Sequence, residues 1–409
     1  MSELPIGWAL RPLSAVTNSI SNGFTYSNAP QSGGLPISRI QTISHGQIDF
    51  EAVGYAGLSA DSMSKHLLQP GDILFSHINS KEHVGKVAIY KTGMRPLLHG
   101  MNLLRIVANE LVLPEFLFWA LRSDAAKSQI FASTRHAVNQ ASINIRNLQT
   151  VLVPVPPLDE QQRIVATLED HLSRLDKANV ETDLDVALAH LRKAFYSQAV
   201  DVLYKEALSF KRLDEVAHVQ LGRQRSPSNA AGPNMRSYLR AANVTWSGLD
   251  FDDVLEMNFT DKEMDTFRLV SGDILINEAS GSAKEVGKPA IFKGEISDCA
   301  FQNHLIRIRS AGVSTEYLFG LLFHNAISGA YVAESQGVGI NHLGKAKVAQ
   351  WKIPIVNPNA ETRFVENIST FENNFLKLRD EIGEVKYRLK AMRRALLQDA
   401  FTGKLVENV

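Results

Sequence analysis

The sequence predicts an α+β protein in which two similar globular heads of mixed α/β structure are separated by two long, antiparallel coiled-coil helices. Three observations lead to this fold class. Motifs recur about 200 residues apart, the first part of each repeat alternates short apolar runs with turn residues, and the second part carries an apolar heptad pattern. We therefore expect an internal duplication with pseudo-two-fold symmetry.

The duplication is supported by several matched segments along the chain. GDILFSHINSKEHVGKVAIY begins at Gly71 and GDILINEASGSAKEVGKPAIF begins at Gly272. SRIQTISHGQIDF is matched by LRAANVTWSGLDF, which aligns Arg39 with Arg240. LRKAFYSQA near the end of the first repeat is matched by MRRALLQDA near the end of the second. A duplication explains all of these matches, because their offset stays nearly constant.

One segment of the second repeat has the spacing of a phosphate-binding loop. Gly281 is followed by Gly287 and Lys288, but Pro289 occupies the position of the Ser or Thr hydroxyl that such a loop uses to hold Mg²⁺. The first repeat lacks the leading glycine. We therefore interpret both VGK segments as strand–loop–strand elements, in which each lysine is either solvated in a turn or in contact with a phosphate.

The first part of each repeat, 1–155 and 206–356, is predicted to be a strand-rich globular domain with few helices. Short apolar runs such as KVAIYKTG and LLRIVA are separated by Gly, Asn, Ser and Pro. PEFLFWALRS and TEYLFGLLFHNA are predicted to be corresponding helices. Each domain is expected to close with a short strand that ends at proline, within LQTVLVPVPP and AQWKIPIVNP.

The second part of each repeat, 156–205 and 357–409, is predicted to be a long helix. In the second repeat, apolar residues alternate at intervals of four and three without a break, which is typical of a coiled-coil seam. Asn357-Pro358 and Gly403 mark the two ends of this helix. The seam residues are Phe364, Ile368, Phe371, Phe375, Leu378, Ile382, Val385, Leu389, Met392 and Leu396.

The helix of the first repeat has a less regular pattern. Asp159 and Gln162 are spaced as a capping box, and the apolar phase shifts between Asn179 and Asp185. Helices of about 40 residues would be about 60 Å long, and each needs a partner to bury its apolar seam. We expect the two to pair in antiparallel orientation, which would place the heads at opposite ends.

Composition limits the classes of function. The 43 basic residues balance 43 acidic residues, which argues against nucleic-acid binding by net charge alone but allows a local basic patch in 211–240. Cys299 is the single cysteine, so neither an internal disulfide nor a cysteine-based metal site is expected. The sequence has no apolar run of 18 residues and no signal-peptide pattern, which predicts a cytoplasmic protein without membrane contact.

The order of these segments resembles a known protein family. A globular domain, the PPLDEQQRIV helix, a second globular domain and a final helix that ends in RRALLQDAFTGKLV are similar to the specificity subunit of type I restriction–modification systems. The LPIGWALRPLSAV opening is similar to that family as well. The resemblance covers essentially the whole chain, and PPLDEQQRI and LLQDAFTGKL are its most specific parts. The second repeat departs from the pattern at NPNAETRFV.

The resemblance implies a role in DNA recognition. Target-recognition domains 1–155 and 206–356 would each read one half of a bipartite, asymmetric site in double-stranded DNA. The conserved helices 156–205 and 357–409 would fix the spacer and dock two methyltransferase subunits. Those subunits would methylate adenine with S-adenosylmethionine, and two motor-endonuclease subunits would complete the complex. ATP and Mg²⁺ are expected in the partner subunits, and no cofactor or metal is expected in this chain.

The residues themselves also predict that this chain is not an enzyme. The sequence has no Asn-Pro-Pro-aromatic motif for a flipped adenine, no Phe-x-Gly-x-Gly turn for a methyl donor and no metal-binding spacing among its histidines. An alternative hypothesis is a coiled-coil scaffold whose heads bind proteins. A nucleotide hydrolase or a methyltransferase is disfavoured by the incomplete phosphate loop and the missing methyl-donor motif.

Sixteen residues are candidate DNA contacts, since polar and basic side chains on loops can reach base edges and phosphates. Base-reading residues should differ between the repeats because the half-sites differ, which favours the segments 77–81 and 277–284. Arg39 and Arg240 recur, so they have either a shared structural role or a phosphate contact. The candidates are Arg39, His45, His77, Asn79, Lys81, Arg135, Asn139 and Gln140 in the first head, and Arg240, Asn243, Asn277, Ser282, Lys284, Gln336, Asn341 and His342 in the second.

Overall fold

The computed structural model describes residues 4–26, 34–44, 46–55, 57, 63–80, 83–137, 140–178, 181–280, 285–331 and 341–405. The chain divides into two compact units, of which the first comprises 1–180 with 384–409 and the second comprises 181–383. Each unit contains one head and parts of the long helices. The predicted domain boundaries at 155, 205 and 356 lie in connections between elements and stay a prediction.

The first unit contains eleven strands and five helices in its described N-terminal part. The strands are β1 (Ala9–Pro12), β2 (Thr17–Asn22), β3 (Pro36–Ile37), β4 (Gly54–Tyr55), β5 (Ile73–Ser76), β6 (Ile78–Asn79), β7 (Val87–Ile89), β8 (Leu103–Ala108), β9 (Arg135–Ala137), β10 (Gln140–Ser142) and β11 (Leu152–Val155). The helices are α1 (Leu13–Val16), α2 (Pro114–Arg122), α3 (Asp124–Ala132), α4 (Ile145–Gln149) and α5 (Leu158–Ala178).

The second unit repeats this plan. Its strands are β12 (Ser209–Arg212), β13 (Ala217–Leu221), β14 (Met235–Leu239), β15 (Val244–Thr245), β16 (Gly248–Leu249), β17 (Leu255–Asn258), β18 (Asp273–Asn277), β19 (Ala279–Ser280), β20 (Pro289–Phe292), β21 (Ala300–Phe301), β22 (Leu305–Ser310), β23 (Asn341–His342) and β24 (Lys352–Ile355). Its helices are α6 (Glu181–Lys205), α7 (Leu213–Val216), α8 (Asp261–Phe267), α9 (Thr315–Ser328), α10 (Lys345–Ala349) and α11 (Pro358–Ala400), which continues into the first unit.

The sheets confirm the internal duplication. Each head is centred on a four-stranded antiparallel sheet, with the order β2-β8-β5-β7 in the first and β13-β22-β18-β20 in the second. A two-stranded sheet joins the start and the end of each head, β1 with β11 and β12 with β24. All residues of β5 and β18 are buried, as expected for strands covered on both faces.

The aspartate of each GDIL motif is a structural anchor for the central strand. Asp72 accepts the Gln69 N–H at 2.7 Å and pairs with Arg105 at 2.8 Å. Asp273 accepts the Val270 N–H at 2.8 Å and pairs with Arg309 at 2.6 Å. Arg309 lies two positions further along the neighbouring strand than the arginine that corresponds to Arg105. The repeats thus keep the carboxylate and change its partner.

The long helices are confirmed, with one correction to a predicted cap. The helix of the first repeat is described as α5 and α6, and residues 179–180 between them, where the phase shift was predicted to begin, lie outside the described residues. The predicted capping box does not form, because α5 begins at Leu158 and Asp159 lies within its first turn, where it pairs with Arg163 at 3.7 Å. In α11, Asn357 caps as expected, since its Oδ1 accepts the Ala360 N–H at 2.9 Å.

The helices pair in antiparallel orientation within each unit. In the second unit, Arg192 of α6 makes a two-pronged ion pair with Glu372 of α11, at 2.8 and 2.7 Å, and Glu206, further along α6, pairs with an earlier residue of α11, Arg363. Phe195 stacks on Phe371 with a centroid distance of 3.8 Å. In the first unit, α5 and the end of α11 are joined by the ion pair between their Asp176 and Arg393.

The apolar seam predicted for α11 is only partly buried. Phe364 and Ile368 belong to the core of the second unit and Phe375 is also buried, whereas Val385 and Met392 are 52% and 53% exposed. The prediction of an unbroken seam was therefore wrong. The partner helix changes apolar phase between Leu175 and Leu188, so its side chains cannot follow the heptads of α11 over their whole length.

Gly383 in the interior of α11 gives a test of helix stability. A Cβ at this exposed position would meet no atom within 4 Å. We expect Gly383→Ala to stabilise the protein by about 0.5–1 kcal/mol, because alanine loses less backbone entropy in a helix than glycine. Gly403→Ala is the contrasting variant, since its φ is +81° and its Cβ would lie 2.2 Å from Pro5. Urea unfolding should give opposite signs, and a loss of stability in Gly383→Ala would contradict the prediction.

In each repeat, a side chain at the start of the long helix accepts a hydrogen bond from the backbone of the head at the corresponding position. Gln161 of α5 is fully buried, and its Oε1 accepts the Leu113 N–H at the start of α2 at 2.8 Å. Its Nε2 donates to the carbonyls of Leu111 and Pro156 at 3.0 and 2.8 Å. In the second head, Glu361 accepts the Ser314 N–H at the start of α9 at 2.8 Å. The hydrogen bond between helix and head is thus present in both repeats, although NPNAETRFV in the second repeat does not follow the PPLDEQQRI pattern.

His99 gives the first head a pH-dependent stability. The side chain is 2% exposed and its Nε2 is 3.0 Å from the Leu103 carbonyl oxygen. Burial, partly offset by this hydrogen bond, lowers the pKa of His99 to about 4, whereas in the unfolded chain it is near 6.5. Between these values the unfolded state binds more protons, so the contribution is complete above pH 6.5 and is lost as the pH falls towards 4.

We expect His99 to reduce the free energy of unfolding by about 2 kcal/mol between pH 8 and pH 5. His99→Phe, which introduces the residue found at the corresponding Phe301, should remove this part of the pH dependence. Urea unfolding of both proteins at the two pH values measures the difference. An unchanged pH dependence in the variant would show that His99 is not the titrating group.

None of the helices in the described part of the chain combines the length and the apolar character that a membrane crossing requires.

Candidate nucleic-acid interface

Two polar segments that are far apart in the sequence meet beside the central sheet of the first head. β10 pairs with β6, with Ala141 opposite Asn79, and also with β9, with Ser142 opposite Arg135. We call the three strands β6, β9 and β10 the first polar strip. The candidates Asn79, Arg135 and Gln140 were expected on loops, and the structure places them on the strands of one small sheet.

The side chains at the start of this strip are available for hydrogen bonding. The Nδ1 of His77 is buried and has no hydrogen-bond partner among the described residues, and burial lowers the pKa of His77, which favours the neutral ring. A neutral imidazole offers one donor and one acceptor. His77 also lines a pocket of about 500 Å³ with Asn22, Asn144 and Arg146. Arg135 is exposed on β9.

The second head has a corresponding strip with different chemistry. β19 pairs with β23, with Ala279 opposite His342, and we call these two strands the second polar strip. His342 is exposed and its Nδ1 lies 3.3 Å from both carboxylate oxygens of Glu278. An acidic residue accepts hydrogen bonds from cytosine N4, whereas histidine and arginine have other pairing preferences. The two strips therefore present different donor and acceptor sets.

Three candidates in the second head have structural roles instead. Asn243 is 2% exposed and donates to the carbonyls of Asp250 and Asp253 at 2.9 and 3.1 Å, while its Oδ1 accepts the Arg240 N–H at 3.0 Å. The Arg240 guanidinium pairs with the Asp253 carboxylate. Asn277 is 3% exposed and donates to the Glu285 carbonyl at 3.3 Å. The hydrogen-bonding groups of Asn243 are all used within the head, which contradicts its assignment to the DNA surface. The Oδ1 of Asn277 has no partner among the described residues, and DNA contacts by Arg240 and Asn277 stay a prediction.

Arg39 differs from its counterpart Arg240. Ala52 occupies the position that corresponds to Asp253, so the first head lacks that carboxylate. Arg39 is exposed and lines a pocket of about 230 Å³ with Tyr26 and Gln41. The recurrence of this arginine in both repeats therefore does not reflect a shared ion pair.

Six of the candidates lie outside the described residues. They are His45, Lys81, Asn139, Ser282, Lys284 and Gln336. Gln140 and Asn341 are described only as parts of β10 and β23. DNA contacts by these residues and by His77, Asn79, Arg135 and His342 stay a prediction.

The basic segment 211–240 is not a free positive patch. Four of its arginines pair with carboxylates, which neutralises most of its charge. These pairs are Arg212–Asp214, Arg223–Glu263, Arg236–Asp298 and Arg240–Asp253.

The two VGK lysines also have different environments. Lys288 is 7% exposed and pairs with the Glu285 carboxylate, so it is neither solvated nor free for a phosphate. Trp246 packs on Phe323, and its Nε1 donates to the same Glu285 at 3.2 Å. Lys86 donates to the Ser44 carbonyl at 2.7 Å and has no carboxylate partner in the described residues.

Sequence reasoning missed Asn22, Arg146 and Glu278. Asn22 ends β2 and Arg146 follows the Asn144 cap of α4, far apart in the sequence, and only the fold brings them to the His77 pocket. Glu278 lies within the favoured segment 277–284, but the polar and basic residue types expected at DNA contacts did not include carboxylates. No group of three or more potential metal ligands is present in the described ranges.

A family model described as the type I restriction modification DNA specificity domain matches the chain twice, over residues 5–182 and 206–386. The two matches coincide with the two repeats.

Curated relatives are similar over different parts of the chain. The putative type I restriction enzyme MjaX specificity subunit of Methanocaldococcus jannaschii is 38% identical over 203 residues, which cover 49% of this chain and 48% of that protein. The type I restriction enzyme StySPI specificity subunit of Salmonella potsdam is 24% identical over 98% of this chain and 90% of that protein. The chain thus spans about half of the first relative and nine tenths of the second.

Solved structures share the fold over the full length. A chain from a type I R-M system, solved in work on complex assembly and conformational transition, has a TM-score of 0.72 at 19% identity and covers 99% of this chain and 100% of its own. The HsdS subunit from Thermoanaerobacter tengcongensis has a TM-score of 0.50 at 19% identity, with 98% of each chain covered.

Proposed function

Because the chain belongs to the type I restriction modification DNA specificity family, we propose that its two heads read the two unlike halves of one bipartite site in double-stranded DNA. A role in DNA sequence specificity follows from the two family domains, and the relatives are named as specificity subunits. The first polar strip would read one half-site and the second polar strip the other.

The single observation that carries this proposal is the contrast between the two polar strips. They lie beside central sheets of the same strand order, yet the first presents Arg135 with the adjoining His77, and the second presents His342 with the adjoining Glu278. A symmetric pair of identical heads would read a palindrome. Two similar heads with different donor and acceptor sets are suited to an asymmetric site.

We further infer that this chain directs chemistry that its partners perform. Two methyltransferase subunits would dock on the long helices and methylate adenine with S-adenosylmethionine, and two motor-endonuclease subunits would use ATP and Mg²⁺. Docking is supported by Val385 and Met392, which are seven residues apart on one face of α11 and more than half exposed. The chain itself would be non-catalytic, without cofactor, and would act in the cytoplasm.

The test is methylation-sensitive genome sequencing of the source cells with and without this gene. We expect the deletion to remove one split, adenine-methylated motif and reintroduction of the gene to restore it. A methylation pattern that is identical in both strains would contradict the proposed role. A coiled-coil scaffold that binds only proteins would show no salt-dependent DNA binding by the full chain.

A further inference from the structure

The first head contains a pocket of about 690 Å³ whose charged lining, within the described residues, is entirely basic. Lys86 is the lysine of the first VGK segment, Arg122 ends α2 and Lys127 lies in α3. Ser44, Ser128 and Thr134 add hydroxyl groups to the same wall. We call this site the cationic pocket.

The three cations of the cationic pocket have no ion-pair partner among the described residues. Arg122 donates to the Gly46 carbonyl at 3.3 Å and lies over the rings of Phe118 and Trp119, at 5.1 and 4.9 Å from their centroids. Lys127 makes no hydrogen bond or ion pair with any described residue. The Asp124 carboxylate attracts Lys127 electrostatically but is paired with Arg394.

The electrostatic cost of this arrangement is visible at Lys127. Its side chain is exposed, yet its surroundings desolvate the ammonium group. This desolvation and the charges of Arg122 and Arg394 outweigh the opposing effect of Asp124 and lower the pKa of Lys127. Burial and the charge of Arg393 likewise lower the pKa of Arg122. Charged groups with perturbed pKa values cluster at functional sites, where a local energetic cost is tolerated. Neighbouring cations without an ion-pair partner are suited to bind an anion.

The backbone around the pocket is shaped to hold Arg122. Gly46 has a φ of +73°, and a Cβ at this residue would lie 3.0 Å from the guanidinium Nη1. A larger residue would therefore be strained and would push the arginine from its place. In the second repeat the corresponding residue is Ser247 and the residue that corresponds to Arg122 is Phe323.

The corresponding pocket of the second head has a different charged lining. It has a volume of about 750 Å³ and is lined by Trp246, Ser247, Ser328 and Gly329, by the carboxylates of Asp185 and Glu285, and by the cations Arg192, Lys193 and Arg379 of the long helices. Ser328 occupies the position of Lys127, and Lys288, which corresponds to Lys86, is paired with Glu285. The second pocket thus combines charges of both signs, and the second head has Phe323 and Ser328 at the positions of Arg122 and Lys127.

The walls of the cationic pocket continue directly into the first polar strip. Thr134 lines the pocket, and the next residue, Arg135, begins β9. On the other wall, the Gly85 N–H donates to the Ser76 carbonyl at 2.9 Å, immediately before His77. A duplex whose bases face the first polar strip would therefore bring its own backbone to the mouth of the pocket.

We propose that the cationic pocket binds a phosphodiester group of the DNA backbone and fixes the position of the first head on the duplex, and that the second head lacks this clamp. The inference rests on the proposed function. Phosphate contacts position a protein without reading sequence, so the pocket would contribute equally on cognate and random DNA.

Lys127→Gln is the primary test, because Lys127 has no partner to lose in the described structure. Binding of the full chain to a short random-sequence duplex is measured between about 50 and 200 mM NaCl. We expect the slope of log K against log salt to decrease by about one unit in Lys127→Gln and by about two units in the double variant Lys86→Gln/Lys127→Gln. Thermal unfolding should show that Lys127→Gln is as stable as the unaltered protein or more so.

Lys288→Gln is the matched control, since it alters the corresponding lysine of the second head and should leave the salt slope unchanged. An unchanged slope in both first-head variants would overturn the inference, as would an equal decrease in Lys288→Gln. Stabilisation of the unaltered protein by inorganic phosphate without a slope change in the variants would identify a free-anion site and overturn it too. If the unaltered protein itself binds no DNA, the proposed function is wrong. If it binds DNA but the first-head variants keep its salt slope, only the inference about the cationic pocket is wrong.

Discussion

Gln161→Ala is expected to destabilise the first unit by about 3 kcal/mol or more. The side chain is fully buried and makes three hydrogen bonds to the backbone, one to the Leu113 N–H and two to the carbonyls of Leu111 and Pro156. Each buried backbone group that loses its partner costs about 1–3 kcal/mol. Removal of the side chain also leaves a cavity between α2 and α5.

The measurement is urea unfolding of the full chain, followed by signals from both units. Gln162→Ala is a matched control, because Gln162 is the same residue type at the next position and is exposed. We expect the control to change the free energy of unfolding by less than about 0.5 kcal/mol. Equal stabilities of Gln161→Ala and Gln162→Ala would show that the buried amide does not attach the head to its helix. Gln161→Glu should retain much of the stability, since Glu361 makes the equivalent contact in the second unit.

Arg135→Ala is expected to weaken recognition of one half-site by about 1–3 kcal/mol, a factor of roughly 5 to 150, and to leave the other half-site intact. Arg135 is exposed on β9 and has no ion-pair partner among the described residues. An arginine that donates two hydrogen bonds to a guanine discriminates it from other bases. The variant should therefore also tolerate substitutions at one base pair of that half-site.

The experiment compares binding to the cognate duplex with binding to duplexes altered at each position of both half-sites. Arg11→Ala is the control, because Arg11 is likewise exposed but lies on β1, away from the first polar strip. It should leave base discrimination unchanged. A uniform loss of affinity across all sequences in Arg135→Ala would assign Arg135 to a phosphate rather than to a base.

The architecture of this protein could be predicted from its sequence to a large extent. The duplication, the closing strands and the ends of α11 follow from local signals such as GDIL, Val-Pro and Asn357-Pro358. The exposure of Val385 and Met392 could not be predicted in this way, because a heptad pattern records which residues are apolar and not whether the partner helix keeps the same phase.

The candidate site was predictable only in outline. The segments around His77 and Arg135 stood out because they are polar and differ between the repeats, but their union in one small sheet depends on pairing between distant strands. Asn243 had the right chemistry for a base contact, yet it is buried and caps a turn with Arg240. Local sequence cannot tell a polar side chain that faces solvent from one that satisfies the backbone.

The different partners of Asp72 and Asp273 have a consequence for genetic exchange between the two repeats. β22 carries arginines at both positions, 307 and 309, whereas β8 carries only Arg105. A crossover that brings β22 into the first head would retain an arginine opposite Asp72. The reverse crossover would replace Arg309 by Val107 and leave the buried Asp273 dependent on the arginine at position 307, which in the intact second head donates to the carbonyls of Thr266 and Arg268 instead. We therefore expect exchange of this strand alone to be tolerated better in the first head than in the second.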